Sequence, residues 1–215
     1  MLSPNIGQAG NNPEAEQFRA ILLRLRDGQS TQDYWMTLCQ RTPQHFTNAL
    51  LLYFDKVSVA KYNFEKLQYL GSPVARISAL PSGRNAKNAT SDDADGLDAV
   101  MCFARGAPVT LTCNLWKEVG MCNGATGVVE DLFYPDRPPP CPPIAALVEF
   151  ANYTGPSFLA TNPKAVPIPP HLFERESYGQ RLFRGKLPLR LRYAMTICKL
   201  QGQTLPQVVV DLGKV

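Results

Sequence analysis

The sequence predicts an α/β protein that contains a small β-barrel. Three observations predict it. Up to Leu80, cap residues and helical periodicity alternate with short apolar runs. From Val100 to Phe150 the pattern changes to short strands separated by turn signals. Near the C-terminus a polar, Gly-containing stretch leads into Val208-Val209-Val210, the pattern of a buried strand in a parallel sheet.

Composition sets the outer bounds. At 215 residues and 45% hydrophobic content, the chain can form one domain or two small ones with a real core. Its net charge of +4 is too mild to define a partner, so local clustering matters more. Six cysteines with no C-x-x-C pair, and only His45 and His171, disfavour a zinc centre and a Cys/His or Ser/His/Asp enzyme. No apolar run approaches the roughly twenty residues of a membrane span, and Met1 to Asn5 is no signal peptide. An intracellular protein with no membrane partner is expected.

The first helix is expected after the cap Asn12, with Pro13 at its first position, Glu14 and Glu16 at the positive end of its dipole, and Gly28 as its stop. Phe18, Ile21, Leu22 and Leu25 form its core-facing stripe. A second helix begins after Thr31, with Tyr34 or Trp35, Leu38 and Cys39 inward. Ala49 to Phe54 reads as a strand, Asp55 as a cap, and Val57, Ala60, Phe64 and Leu67 as the inner face of a third helix; Val74 to Leu80 can be the next strand. Pro81 to Asp98 reads as a loop. Its acidic cluster, Asp92, Asp93, Asp95 and Asp98, follows no apolar strand, so a solvated loop is preferred to a Mg²⁺ site.

Strands are then expected at Pro108 to Thr112, from Gly127, and at Ala146 to Phe150, with a turn at Asn123-Gly124 and a proline-rich loop from Pro135 to Pro143. That density of short strands suggests an SH3-like barrel. The last stretch carries Arg181, Arg184, Lys186, Arg190, Arg192 and Lys199, with no acid between Glu176 and Asp211. An unopposed basic block suits nucleic-acid backbone or nucleotide phosphates, or else a solvated face. Gly124 to Gly127 matches a bare Gly-x-x-Gly, and Gly179 to Lys186 has P-loop-like glycines but one residue too many and Leu187 where Ser or Thr should stand; neither is a motif.

Several segments together resemble one family. These are Phe18 to Gly28, Gly106-Ala-Pro-Val-Thr-Leu-Thr-Cys-Asn114-Leu-Trp116, Gly120-Met-Cys-Asn123-Gly124-Ala-Thr-Gly127, Leu147 to Phe150 with Tyr153 to Pro156, Val166 to Pro170, and Ala194-Met-Thr196-Ile-Cys198-Lys199-Leu-Gln201-Gly202-Gln203-Thr204. Taken in order, they are similar to the C-terminal part of the Pif-one-like DNA helicases, RecD-related superfamily-one motors.

The resemblance implies a partial RecA-like motor domain, a parallel sheet with helices, holding an inserted SH3-like barrel. Residues 1–99 are the first part of the second motor domain, 100–173 the insertion, and 174–215 the return to the motor with its coupling loop. It implies nucleotide contacts from Gln8, Gly202 and Gln203. It implies DNA contacts from Thr196 and Lys199, to which the acid-free block adds Arg190 and Arg192; Asn114 and Asn123, both at strand ends, are further candidates that read first as turn formers. Trp116, Tyr153 and Tyr193 are possible stacking partners that read first as core. By resemblance the cofactors are ATP and Mg²⁺, the partners single-stranded or junction DNA and the first motor domain, and the location nuclear, with roles in unwinding, repair, recombination and telomere maintenance.

The chain also departs from the family. Cys198 and Leu200 replace the His and Ser that usually flank the lysine, and Gly7 stands where an arginine should reach the γ-phosphate. Walker A, Walker B and the later arginine motif fall outside these residues. No catalytic residue and no tight ATP or metal binding is therefore expected of this chain alone. The alternative reading is a non-catalytic single-strand-binding or adaptor module.

Overall fold

The computed structural model describes residues 13–40, 49–82, 100–134, 141–177, 180–200, 205 and 207–211. It has two compact units, residues 1–49 with 202–210, and residues 50–201 with 211–215.

In the first unit, α1 spans Pro13–Arg26 and α2 spans Gln32–Cys39. Gly28, at φ 70°, ends α1 in the left-handed conformation that a glycine adopts without steric cost. The Gly28 N–H then donates to Leu25 O and the Gln29 N–H to Arg24 O, a Schellman closure of the last turn. Thr31 caps α2 by accepting from the Tyr34 N–H. The expected stripe on α1 is only partly buried: Ile21 is enclosed, Phe18 and Leu22 are half-buried, and Leu25 is exposed. On α2, Tyr34 lies beneath the Arg24 guanidinium at 5.1 Å and Trp35 is exposed. The cap expected at Asn12 lies outside the described residues, as do the side chains of Glu14 and Cys39. The last strand of the chain, Val208–Val210, forms where an apolar run predicts it, but Val208 and Val210 are exposed, not buried. A parallel strand is buried on both faces only where helices cover both.

The second unit opens with β1 (Leu50–Tyr53), capped helix α3 (Lys56–Gln68) and β2 (Ala75–Ser78), as the sequence predicts. Asp55 accepts the Ser58 N–H at 2.7 Å, which fixes the start of α3. The facing of α3 differs from expectation. Asn63 and Leu67 are its buried residues, while Val57 is 78% exposed and Phe64 46%. The cause is a tertiary contact. Asn63 Nδ2 donates to Ala194 O at 3.1 Å and Asn63 Oδ1 accepts the Ala194 N–H at 2.8 Å, which fixes the rotation of the helix.

Most of the remaining strands form antiparallel sheets. β3 (Leu80–Ser82) and β4 (Val100–Phe103) are followed by β5 (Pro108–Leu111), β6 (Thr126–Phe133), β7 (Ala145–Phe150), β8 (Ala165–Ile168), β9 (His171–Ser177), β10 (Gln180–Lys186), β11 (Leu189–Leu191) and β12 (Ala194–Thr196). Five of them make a sheet in the order β11-β5-β6-β7-β8. Its core includes Phe103, Val109, Val129, Phe150, Ile168 and Leu189. A bulge between Val129 and Asp131 shifts the register of β6 against β7. The Asn123-Gly124 turn forms as expected, with Gly124 at φ 93° and its N–H donating to Leu111 O. None of the described sheets closes into a barrel. β2 pairs with β4, and β10 pairs with both β3 and β9.

β1 and β12 pair in parallel, with Leu51 opposite Ala194 and Tyr53 opposite Thr196. This is the parallel element of the mixed α/β fold, and α3 departs from its carboxyl end.

Candidate nucleic-acid interface

The second unit holds a cleft of about 520 Å³. It lies where the carboxyl end of β12 meets one face of α3, with β4 and β11 completing the walls. Phe64, Leu67, Met101, Phe103, Leu191 and Met195 give it an apolar interior, and Lys56, Arg190 and Lys199 contribute cations. Thr196 adds a hydroxyl, and among the described residues no carboxylate lines the cleft.

Each position follows from local structure. Lys56 is the first residue of α3, directly after the Asp55 cap. Arg190 is the middle residue of β11, held opposite Thr110 by the antiparallel ladder to β5. Thr196 ends β12, and Lys199 sits in the 3-10 turn that follows, Ile197–Leu200. Thus three of the six residues the sequence assigns to DNA, Arg190, Thr196 and Lys199, meet in one cleft.

The other three are elsewhere. Arg192 is half-buried; its Nε has no hydrogen-bond partner, and burial lowers its pKa. Asn114 Oδ1 accepts the Asn123 N–H at 2.9 Å, so these two exposed residues brace one turn, which was their simpler reading. Gln8, Gly202 and Gln203 lie outside the described residues. So does the acidic cluster from Asp92 to Asp98.

The basic block is not one face. Lys186 is buried, with Nζ 5.6 Å from the Phe173 ring centroid, because β9 and β10 form a hairpin that the sequence does not announce. Arg190 and Arg192 are half-buried, and Lys199 is exposed. Among the stacking candidates, Tyr153 is core and donates its hydroxyl to Pro156 O, while Trp116 is 46% exposed. Tyr193 is half-buried, and its buried hydroxyl lacks a partner.

Sequence reasoning missed Lys56, Asn63 and Phe64. The available signal was Asn63 itself, four residues before buried Leu67 on the same helical face, where a polar amide demands a partner.

Chemically, an apolar hollow whose described lining carries cations and no carboxylate suits an anionic ligand that has an apolar portion. A nucleotide unit, with a flat base and a charged phosphate, has that form. The described residues contain no group of three His, Cys, Asp or Glu able to hold a metal ion.

No protein-family model matches the chain. The human ATP-dependent DNA helicase PIF1 is 30% identical over 210 residues, which is 94% of this chain and 30% of that protein. The chain is related to the Pif1 DNA helicases. It spans under a third of the length of the curated Pif1 proteins it matches. Among solved structures, Pif1 helicase from Candida albicans superposes with a TM-score of 0.73 at 23% identity, covering 98% of this chain and 50% of that one. A Bacteroides Pif1 in complex with ADP-AlF3 and ssDNA gives 0.65 at 18% identity, covering 100% and 46%. The fold of this chain is thus a fold found in Pif1 helicases, and no described helix is long and apolar enough to cross a membrane.

Proposed function

We propose that the chain is the C-terminal portion of a Pif1-like ATP-dependent DNA helicase and that its cleft receives single-stranded DNA. The convergence of Arg190, Thr196 and Lys199 on one apolar cleft at the end of β12 carries this reading. Backbone phosphates meet the cations and the hydroxyl, and a base rests on the apolar wall. Two further facts support it: the kinship with human PIF1, and solved Pif1 neighbours that were crystallised with ssDNA.

In this reading residues 1–99 and 174–215 belong to the second RecA-like motor domain. Residues 100–173 are an SH3-like insertion, whose sheet takes Leu189–Leu191 as its edge strand. ATP and Mg²⁺ belong to a site shared with the first motor domain, towards which Gln8, Gly202 and Gln203 contribute. The role is intracellular and nuclear, in DNA unwinding for repair, recombination and telomere maintenance. Because phosphoryl transfer depends on delivered positive charge and bound Mg²⁺, the chain alone binds DNA without hydrolysing ATP.

Fluorescence anisotropy with a labelled oligo-dT tests the binding claim, and single-strand-stimulated phosphate release tests the catalytic one. Salt-sensitive binding without ATPase activity is expected. ATPase activity that co-purifies with the chain through successive columns, or no binding at low salt, overturns the corresponding half.

A further inference from the structure

The sequence gives no role to Asn63, yet it is the buried polar residue of α3 and one wall of the cleft. Its amide meets both backbone groups of one residue, Ala194, which is itself fully buried. Strand geometry explains why an amide is needed there. Leu51 N–H donates to Tyr193 O, so that carbonyl faces β1. Backbone groups of successive strand residues face opposite sides, so the N–H and C=O of Ala194 point away from β1. Asn63 takes both and acts as a one-residue substitute for a neighbouring strand. Thr196 is on the same side of the ladder, at the cleft, and Lys199 follows in the 3-10 turn Ile197–Leu200 directly after it.

We infer that Asn63 is a positioning residue for the nucleic-acid loop: its amide, clamped on Ala194, sets the place of Thr196 and Lys199 in the cleft. This rests on the single-strand reading of the cleft. A Leu at this position would fill similar space and pack against the same apolar wall, so packing alone does not call for an amide. The two reciprocal bonds do, because they fix β12 along its own axis as well as against the helix.

The test uses the full chain, oligo-dT anisotropy across a salt series, and hydrogen exchange of the free protein. Compared are wild type, Asn63→Leu, Lys199→Ala and the double variant. Positioning predicts that Asn63→Leu lowers the salt slope by about 0.7, the share of one phosphate contact. It also predicts that the double variant loses less than the sum of the two single losses, because the Lys199 contact is already gone and only the Thr196 contact remains to be displaced. Amides of residues 194–200 should exchange about tenfold faster or more, with 145–150 unchanged. A purely structural Asn63 would leave the slope intact and add fully to Lys199→Ala, which overturns the inference. If Asn63→Leu does not fold, Asn63→Gln keeps the amide but displaces it by one methylene; the same loss of slope is expected, and an unchanged slope overturns the inference. Should wild type not bind oligo-dT, the single-strand reading fails, and exchange alone decides the clamp: unchanged protection of 194–200 in Asn63→Leu refutes it.

Discussion

Three cations around one cleft make a quantitative prediction about salt. If Lys56, Arg190 and Lys199 each neutralise one phosphate, binding of a single strand should show a slope of about −2 in log K against log salt, at about −0.7 per contact. Raising salt from about 50 to about 200 mM then weakens binding about 20-fold. Removing Lys199 leaves two contacts, a slope of about −1.4 and a weakening of about 7-fold over the same range. The apolar wall gives an independent check. Phe64 is 46% exposed and lines the cleft, so it is free to stack on a base. Such a contact is worth about 1–3 kcal/mol. Phe64→Ala should therefore weaken binding at every salt concentration and leave the slope alone. Arg192→Ala should leave the slope alone for a different reason: Arg192 is not among the cleft residues. Equilibrium anisotropy of one oligo-dT against these variants separates the cases. A slope that survives Lys199→Ala, or falls with Arg192→Ala, refutes the placement of the phosphates.

Other consequences concern the frame. A Cβ on Gly120 would stand 2.5 Å from Asn152 O at φ 87°, whereas Gly71, at φ 68°, has nothing within 4 Å. Gly71→Ala should cost only the left-handed backbone penalty of about 1–2 kcal/mol, and Gly120→Ala about 1–3 kcal/mol more for overpacking, read as denaturation midpoints; equal midpoints would contradict the close approach. Hydrogen bonds from Ser58 hold the Asp55 carboxyl below its ordinary pKa. Its stabilising effect is then complete above the unfolded value of about 3.9 and is lost as pH falls through the lower folded value. Asp55→Asn caps without titrating, so the stability gap between wild type and variant should change with pH only in that acid range; a gap that is constant down to pH of about 2 would discount the cap. Finally, Cys198 is exposed, while burial raises the pKa of the Cys102 and Cys113 thiols. A thiol reagent at neutral pH should label Cys198 well before Cys102 or Cys113, as mass mapping would show.

Local physics was legible in the sequence. Pro13, Gly28, Thr31 and Asp55 punctuate the helices as their chemistry requires, and Asn123-Gly124 makes its turn. The strands β5, β6 and β7 fall where β-branched and apolar runs predict them. What failed to show was pairing over distance. The clamp from Asn63 reaches 131 residues along the chain, and no helical periodicity encodes it. That one contact turns α3 so that Val57 faces outward and Phe64, 46% exposed, lies along the cleft. Likewise the block of cations read as continuous because charge was counted along the chain. Folding β9 against β10 buries Lys186 and removes it from any shared surface. Of the residues that line the cleft, Arg190 was singled out by the acid-free block and Thr196 and Lys199 by family resemblance, whereas Lys56 and Phe64 are brought there only by the fold.

The covalent spacing of the site has a mechanical consequence. β11 belongs to the five-stranded antiparallel sheet, and β12 pairs in parallel with β1. Only Arg192 and Tyr193 separate them. Each of the two is tied by its backbone, the Arg192 N–H donating to Pro108 O and the Tyr193 carbonyl accepting from Leu51. There is no slack between the two sheets at this point. Arg190 stands on one side of the junction and Thr196 on the other, and both line the cleft. A ligand that bridges the Arg190 guanidinium and the Thr196 hydroxyl therefore spans the junction between the sheets. A shift of one sheet against the other changes the separation of its two contacts directly, without a flexible loop to absorb it.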